Sequence, residues 1–243
     1  MSPQSDSLKG REVILAGGSG GIGSALAEML RADGVRLVIS YRANRERAEK
    51  WQDAANVVQA DLTSAADRTR LLNAAPALYG LVVLTGDPAR FKDAAELEVA
   101  ARLSHEANYL GPILLAREAV ERLKQTSTQG AIVLISTMQA NALFPGSTIY
   151  ATQKAALQHA AQILAKECRG SANIRVNVVS PGITAAGMAE ASIASGKYDR
   201  FLKDNTIGRY GRAIDVARAI RFFLEPDNYV TGQVLCVDGG ITL

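Results

Sequence analysis

Seven short apolar runs alternating with longer helical patterns constrain this fold more than any other feature of the chain. VILA (13–16), RLVIS (36–40), NVVQA (56–60), LYGLVVL (78–84), AIVLIS (131–136), RVNVVS (175–180) and QVLCV (233–237) read as strands. Most are apolar on both faces, as expected of a parallel sheet covered by helices on each side. Helical patterns lie near 22–33, 44–53, 64–75, 94–124, 150–168 and 213–224. Such alternation closes through right-handed crossovers into a doubly wound α/β sheet. No repeat or low-complexity stretch interrupts it, so one domain over 1–243 is expected, with 1–8 a disordered, polar lead-in.

The first run leads directly into AGGSGGIG, with glycines at 17, 18, 20, 21 and 23. Their spacing satisfies both G-x-G-x-x-G and G-x-x-x-G-x-G. Glycine is required where a backbone turns tightly and approaches a phosphate with no Cβ in the way. Between a strand and an amphipathic helix, such a loop is where a dinucleotide pyrophosphate lies. Ser19 in GGSGG also fits G-x-S-x-G, but a hydrolase would need its Asp and His downstream, so Ser19 reads as a phosphate-side hydroxyl. The second run ends in ISYRANR, where Tyr41 and Arg42 stand and no acid does. A guanidinium suits a 2′-phosphate, so NADP(H) is favoured with NAD(H) left open. Asp61 in QADLT is placed to meet an adenine edge, and can equally belong to a helix start capped by Thr63.

Tyr150 and Lys154, in IYATQKAAL, are four residues apart and share one helix face. A free phenol titrates near ~10, and a neighbouring cation favours its ionised form. Lys154 is therefore expected to acidify Tyr150 and make it a usable proton donor. A strand ending in LISTMQ precedes it, with Ser136 and Thr137 on opposite faces. Spacing favours Thr137 as the hydroxyl beside the tyrosine, with Ser136 the fallback.

Other chemistries find little support. Lys plus Arg exceed Asp plus Glu by 27 − 24 = 3, and the arginines are scattered rather than gathered into a nucleic-acid face. No apolar run approaches the ~18 residues of a membrane span, and the N-terminus lacks a signal-peptide core, so a cytoplasmic protein is expected. Cys168 and Cys236 are expected to be reduced and buried, and with His105 and His159 they have no metal-ligand spacing. The irregular stretch 182–212 exceeds a simple connection of ~2–6 residues and is expected to form a lid or substrate wall.

Five motifs add a resemblance: AGGSGGIG for T-G-x-x-x-G-x-G, Tyr150–Lys154 for Y-x-x-x-K, Arg175-Val176-Asn177 through Pro181-Gly182, GRYGRAIDV, and YVTGQVLCVDGG. From about Leu8 to Gly240 the chain resembles the short-chain dehydrogenase/reductase family in its single-domain form, most of all its 3-oxoacyl-acyl-carrier-protein reductases. The resemblance implies a Rossmann fold with a seven-stranded parallel sheet ordered 3-2-1-4-5-6-7, and a homotetramer paired through helices near 94–124 and 150–168. It implies a reductase in which Tyr150 protonates the carbonyl oxygen and Lys154 holds the nicotinamide ribose hydroxyls. Asn108 would support a proton-relay water at a helix irregularity. Gly17, Ser19, Gly20, Gly21, Ile22, Gly23, Tyr41, Arg42, Asp61, Leu62, Thr85, Gly86, Pro181, Gly182 and Ile183 would line the cofactor, while Arg175 and Asn177 would be structural. The substrate would be a small-molecule or acyl-carrier-bound carbonyl; alternatives are a secondary-alcohol dehydrogenase or a weakly active NADP-binding regulator. The chain departs from the family at Thr137 (serine), Val83-Leu84-Thr85-Gly86 (N-N-A-G), Ala16 and Ala186 (threonines), and Gly20 (often basic).

Overall fold

The structure, a computed structural model, describes residues 7–170 and 172–243. The strands are β1 (Glu12–Ala16), β2 (Arg36–Tyr41), β3 (Asn56–Gln59), β4 (Leu78–Val83), β5 (Gly130–Ile135), β6 (Ile174–Pro181) and β7 (Val234–Val237). All pair in parallel in the order β3-β2-β1-β4-β5-β6-β7. The chain order reverses between β1 and β4, which opens a crevice beyond the strands' carboxyl ends.

Alternation along each strand feeds two separate cores. Ile14, Val38, Leu81, Ile132, Leu134 and Val176 pack on one face, against α3 (Ala65–Asn73), α5 (Gly111–Gln125) and α6 (Thr148–Glu167). Val13, Leu15, Ile39, Val82, Val133 and Val179 pack on the other, against α1 (Gly21–Ala32) and α9 (Ala213–Leu224). A strand with apolar residues at every position is therefore required, and the sequence supplies it.

Four details differ from the sequence expectations. The helix expected over 94–124 is α4 (Leu97–His105), a π turn over Glu106–Leu110, and α5. Residues 1–6 of the expected lead-in lie outside the described residues, but Leu8 is 4% exposed and belongs to the second core. Gly10, at φ 76°, turns the chain so that its amide reaches Gly34 O at 2.8 Å, which seats Leu8. The cap of α3 is Ser64, whose hydroxyl accepts from the Asp67 amide at 3.3 Å, rather than Thr63. Cys168 is buried as expected, but Cys236 is exposed because β7 is the sheet's edge. Both thiols are free.

The stretch after β6 contains α7 (Glu190–Ala194) and α8 (Asp199–Lys203). It folds onto a third apolar cluster built from Met138, Ile183, Ile207 and Ile241, with Phe144, Tyr198 and Phe201 packed against it. The expected wall over 182–212 thus has its own small core. No helix among the described residues is long and apolar enough to cross a membrane.

Arg175 holds β6 to the end of α9 and Asn177 holds it to the segment that leads into β7, as expected of structural residues. Arg175 donates to Phe223 O and Glu225 O, both at 2.8 Å, and the Tyr79 hydroxyl donates to Leu224 O at 2.7 Å. These carbonyls include ones that the helix itself leaves without partners. Asn177 accepts from the Gln233 amide at 3.0 Å and donates to Val230 O at 2.9 Å.

Candidate active site

The residues singled out in sequence gather at the carboxyl edge of the sheet. Gly17, Ser19 and Gly20 form the turn from β1, and Gly21, Ile22 and Gly23 open α1. Gly17 sits at φ 76°, and a Cβ there would lie 3.0 Å from Thr85 Cγ2. A Cβ on Gly23 would run into the Gly18 carbonyl, so helix and loop could not pack this closely. The Gly17 amide donates to Ser40 Oγ at 3.1 Å, pinning the loop to β2. Ser40 was missed in sequence, although a lone hydroxyl ending the apolar run LVIS was the available signal.

The adenosine side lies on the β2–β3 flank. Tyr41 ends β2 and Arg42 follows it, exposed, with no ion pair to its guanidinium among the described residues. Asp61 accepts from the Thr63 amide at 3.0 Å and the Thr63 hydroxyl at 2.9 Å, which shapes the turn after β3. Buried Arg68 braces that turn by donating to Leu62 O at 2.8 Å and pairing with Glu118 at 2.9 Å. Its signal was its spacing from Leu71 and Leu72, three and four residues on along one helix face.

Across the switch point, α6 brings Tyr150 and Lys154 to the ends of β4 and β5. Lys154 is 2% exposed, and its ammonium donates to Ile135 O at 2.9 Å and Thr85 O at 3.2 Å. Burial pulls its pKa down from 10.5 to about 7. Burial also pushes the Tyr150 phenol up to about 12; a hydrogen bond with Thr137 works the other way, and Tyr198 and Asp87 add to the rise. This corrects the expected acidification by Lys154. The shared helix face places the two groups together, but the ammonium is spent on two carbonyls and the phenol lies in a desolvated setting. Asp87 and Tyr198 were also missed, because loops that meet only in three dimensions carry no spacing signal.

The two hydroxyls after β5 separate. Ser136 Oγ donates to Lys154 O at 3.2 Å and accepts from Gln158 at 2.9 Å, so it serves the helix backbone. Thr137, in extended conformation at the strand's end, turns toward Tyr150. Asn108 is fully buried in the π turn, a distortion frequent at functional sites. Its side chain accepts from the Asp87 amide at 2.9 Å and donates to Asp87 O at 2.8 Å and Ser104 Oγ at 2.9 Å. It clamps the turn after β4, and its side-chain donors are used in doing so.

Gly86 leaves the space between these groups. A Cβ there would lie 3.2 Å from Asn108 Oδ1, 3.4 Å from Met188 Cε and 3.8 Å from Lys154 Nζ. Pro181 ends β6, the Gly182 amide donates to Val237 O at 3.0 Å, and Ile183 turns its side chain into the third cluster. The segment that follows lies over the glycine loop, for a Cβ on Gly21 would come within 3.0 Å of Ala186 Cβ. Two surface hollows, of about 350 Å³ beside Tyr41 and about 700 Å³ between α3 and α5, do not include Tyr150.

A proton donor, a buried amine and a glycine cradle on one crevice fit an enzyme that works beside a dinucleotide. Residues 16–242 match the family described as enoyl-(acyl carrier protein) reductase. An uncharacterized oxidoreductase of Methylorubrum extorquens is 34% identical, covering 96% of this chain and 98% of its own. A chloroplastic NADPH-dependent aldehyde reductase-like protein of Arabidopsis thaliana is 31% identical over 96% and 94%. A short-chain type dehydrogenase/reductase from Mycobacterium ulcerans superposes with a TM-score of 0.88 at 25% identity, covering 97% and 91% of the two chains. With its sheet order, glycine turn and Tyr–Lys helix all in place, this chain belongs to the short-chain dehydrogenase/reductase family of oxidoreductases.

Proposed function

We propose that the whole chain acts as one dinucleotide-binding and catalytic domain that reduces ketones or aldehydes with NADPH. The observation that carries this reading is the placement of Tyr150 and buried Lys154 on one face of α6, beside Thr137 and at the ends of β4 and β5, across the crevice from the glycine turn. A phenol with a second hydroxyl beside it can hold a carbonyl oxygen and pass it a proton, which is what reduction of a carbonyl requires.

The cradle fits a dinucleotide: the loop from Gly17 to Gly23 presents bare backbone at the start of α1, where a Cβ on Gly17 would meet Thr85 and one on Gly21 would meet Ala186. Arg42 would meet a 2′-phosphate and Asp61 with Leu62 would wall the adenine, so NADP(H) is preferred and NAD(H) remains usable. Lys154 would hold ribose hydroxyls, and an anionic ligand would favour its charged form. When bound, the reduced nicotinamide supplies the hydride. Thr137 and Tyr150 would hold the carbonyl oxygen, and Tyr150 would pass it a proton. Asn108 would keep the 86–89 turn in place, with Pro181, Gly182 and Ile183 flanking the carboxamide end.

The NADPH-dependent reductase named among the relatives supports this cofactor and direction. The finer reading, a 3-oxoacyl thioester as substrate, rests on the resemblance carried by the five motifs together. Assembly as a homotetramer is supported by the exposed Leu97, Val99 and Leu103 of α4.

The test is loss of NADPH absorbance with a panel containing acetoacetyl and enoyl thioesters, aldehydes and cyclic ketones. Turnover of at least one carbonyl, faster with NADPH than NADH, is expected. Oxidation of secondary alcohols with no carbonyl reduced would overturn the proposal.

A further inference from the structure

Asp87 puts a carboxylate into the crevice one residue past Gly86, whose own Cβ would lie 3.8 Å from Lys154 Nζ. Its backbone is clamped on both sides, because Asn108 accepts from its amide at 2.9 Å and donates to its carbonyl at 2.8 Å. Its Oδ1 accepts from the Ala89 amide at 2.7 Å, which fixes the side chain too. Oδ2 has no protein partner among the described residues, and the residue is half-buried rather than sealed, so a ligand can reach it.

Nothing in the fold neutralises this charge. Asp87 makes no ion pair among the described residues. Lys154 gives its ammonium to Ile135 O and Thr85 O, and Arg90 turns its guanidinium to Met188 O at 3.3 Å. The side chains that meet it from the 182–212 segment are uncharged. Met188 Cε would lie 3.4 Å from a Cβ on Gly86, and Tyr198 joins Asp87 in acting on the Tyr150 phenol. A fixed carboxylate without a counter-ion therefore sets the sign of the field where a carbonyl must sit to reach Tyr150. Half out of water, that field is felt more strongly than in bulk solvent.

We infer that Asp87 selects the substrate by charge, favouring carbonyl compounds with an ammonium group a few bonds from the carbonyl and rejecting those with a carboxylate there. The inference rests on the reductase reading above and narrows its substrates. A 3-oxoacyl thioester, uncharged near its carbonyl, falls between the two classes.

The test compares dimethyl-oxopiperidinium, whose quaternary nitrogen is charged at every pH, with dimethylcyclohexanone, its uncharged isostere, and with oxocyclohexanecarboxylate. The readout is the ratio of kcat/KM values with NADPH, in the unaltered protein and in Asp87→Asn and Asp87→Ser. Both replacements remove the charge and can still accept from the Ala89 amide. The unaltered protein is expected to favour the cation over its isostere by about 5-fold, the size of an ion pair partly open to water, and to use the carboxylate least. Raising the salt concentration should shrink that preference. Either variant should bring the ratio to within about 2-fold of unity. A ratio that stays unchanged in the variants, an equal fall for the cation and its isostere, or a preference of the unaltered protein for the carboxylate would overturn the inference. Turnover of other carbonyls but not of the cation would also overturn it and leave the reductase reading standing. If no carbonyl is reduced at all, the reductase reading itself fails.

Discussion

Replacing Lys154 by Met should make the ligand-free protein more stable while abolishing its activity. The side chain is 2% exposed, and burial lowers its pKa from 10.5 to about 7. That gap, 10.5 − 7 or about 3.5 pH units, corresponds to ~5 kcal/mol as a ceiling on what the buried charge costs. Against it stand two hydrogen bonds, to Ile135 O and Thr85 O, whose loss costs about 1–2 kcal/mol each after relaxation. Met matches the lysine stem in bulk without the ammonium, so a net gain of about 1–3 kcal/mol below pH 7 is expected. For a chain of this length that is roughly 2–12 °C in melting temperature.

The pH dependence is the sharper signature. Between about 7 and 10.5 the unfolded chain holds a proton at Lys154 that the folded chain has released, so the unaltered protein gains stability as pH rises through that window. Lys154→Met lacks this rise, and its advantage should shrink from pH 6 to pH 9.5. Denaturant melts without dinucleotide at pH 6, 7.5 and 9.5 measure it. A variant less stable at pH 6, or offset by the same amount at every pH, would refute the reasoning.

Three further outcomes are expected. Arg42→Ala should weaken NADPH binding by about 1–2 kcal/mol, roughly 5- to 30-fold, and leave NADH unchanged; equal loss for both would remove Arg42 from the 2′-phosphate. Arg175→Met should cost about 2–4 kcal/mol in denaturant melts, because Phe223 O and Glu225 O lose a buried charged donor; a loss below about 0.5 kcal/mol would mean the network is idle. Asp87→Asn should move the alkaline limb of the activity profile down by less than about one pH unit, since the Asp87 carboxylate holds the Tyr150 phenol up; an upward move would contradict that sign.

The fold was legible because each of its signals is local. Apolar runs such as AIVLIS and the glycine turn declare themselves within a few residues, and topology follows from alternation. The π turn at Glu106–Leu110 was not, since a one-residue slip inside a long helical pattern barely alters its period. Leu8 was read as lead-in because a single leucine among polar residues has no periodicity to show it is core. At the site, the Tyr150–Lys154 spacing reported a shared face but not where the ammonium goes, which Thr85 just past β4 and Ile135 of β5 decide from 69 and 19 residues away. The charge balance around the phenol depends on Asp87 and Tyr198, loop residues that only the folded chain brings near it.

The most direct measurement is a single-turnover experiment with Tyr150→Phe, preloaded with NADPH and mixed with the best carbonyl found. Removing the one proton donor at the carbonyl oxygen should slow hydride transfer by about 100-fold or more while NADPH affinity stays within about 2-fold. Hydride transfer at the unaltered rate would contradict Tyr150 as the proton donor, and with it the reductase chemistry assigned to this crevice.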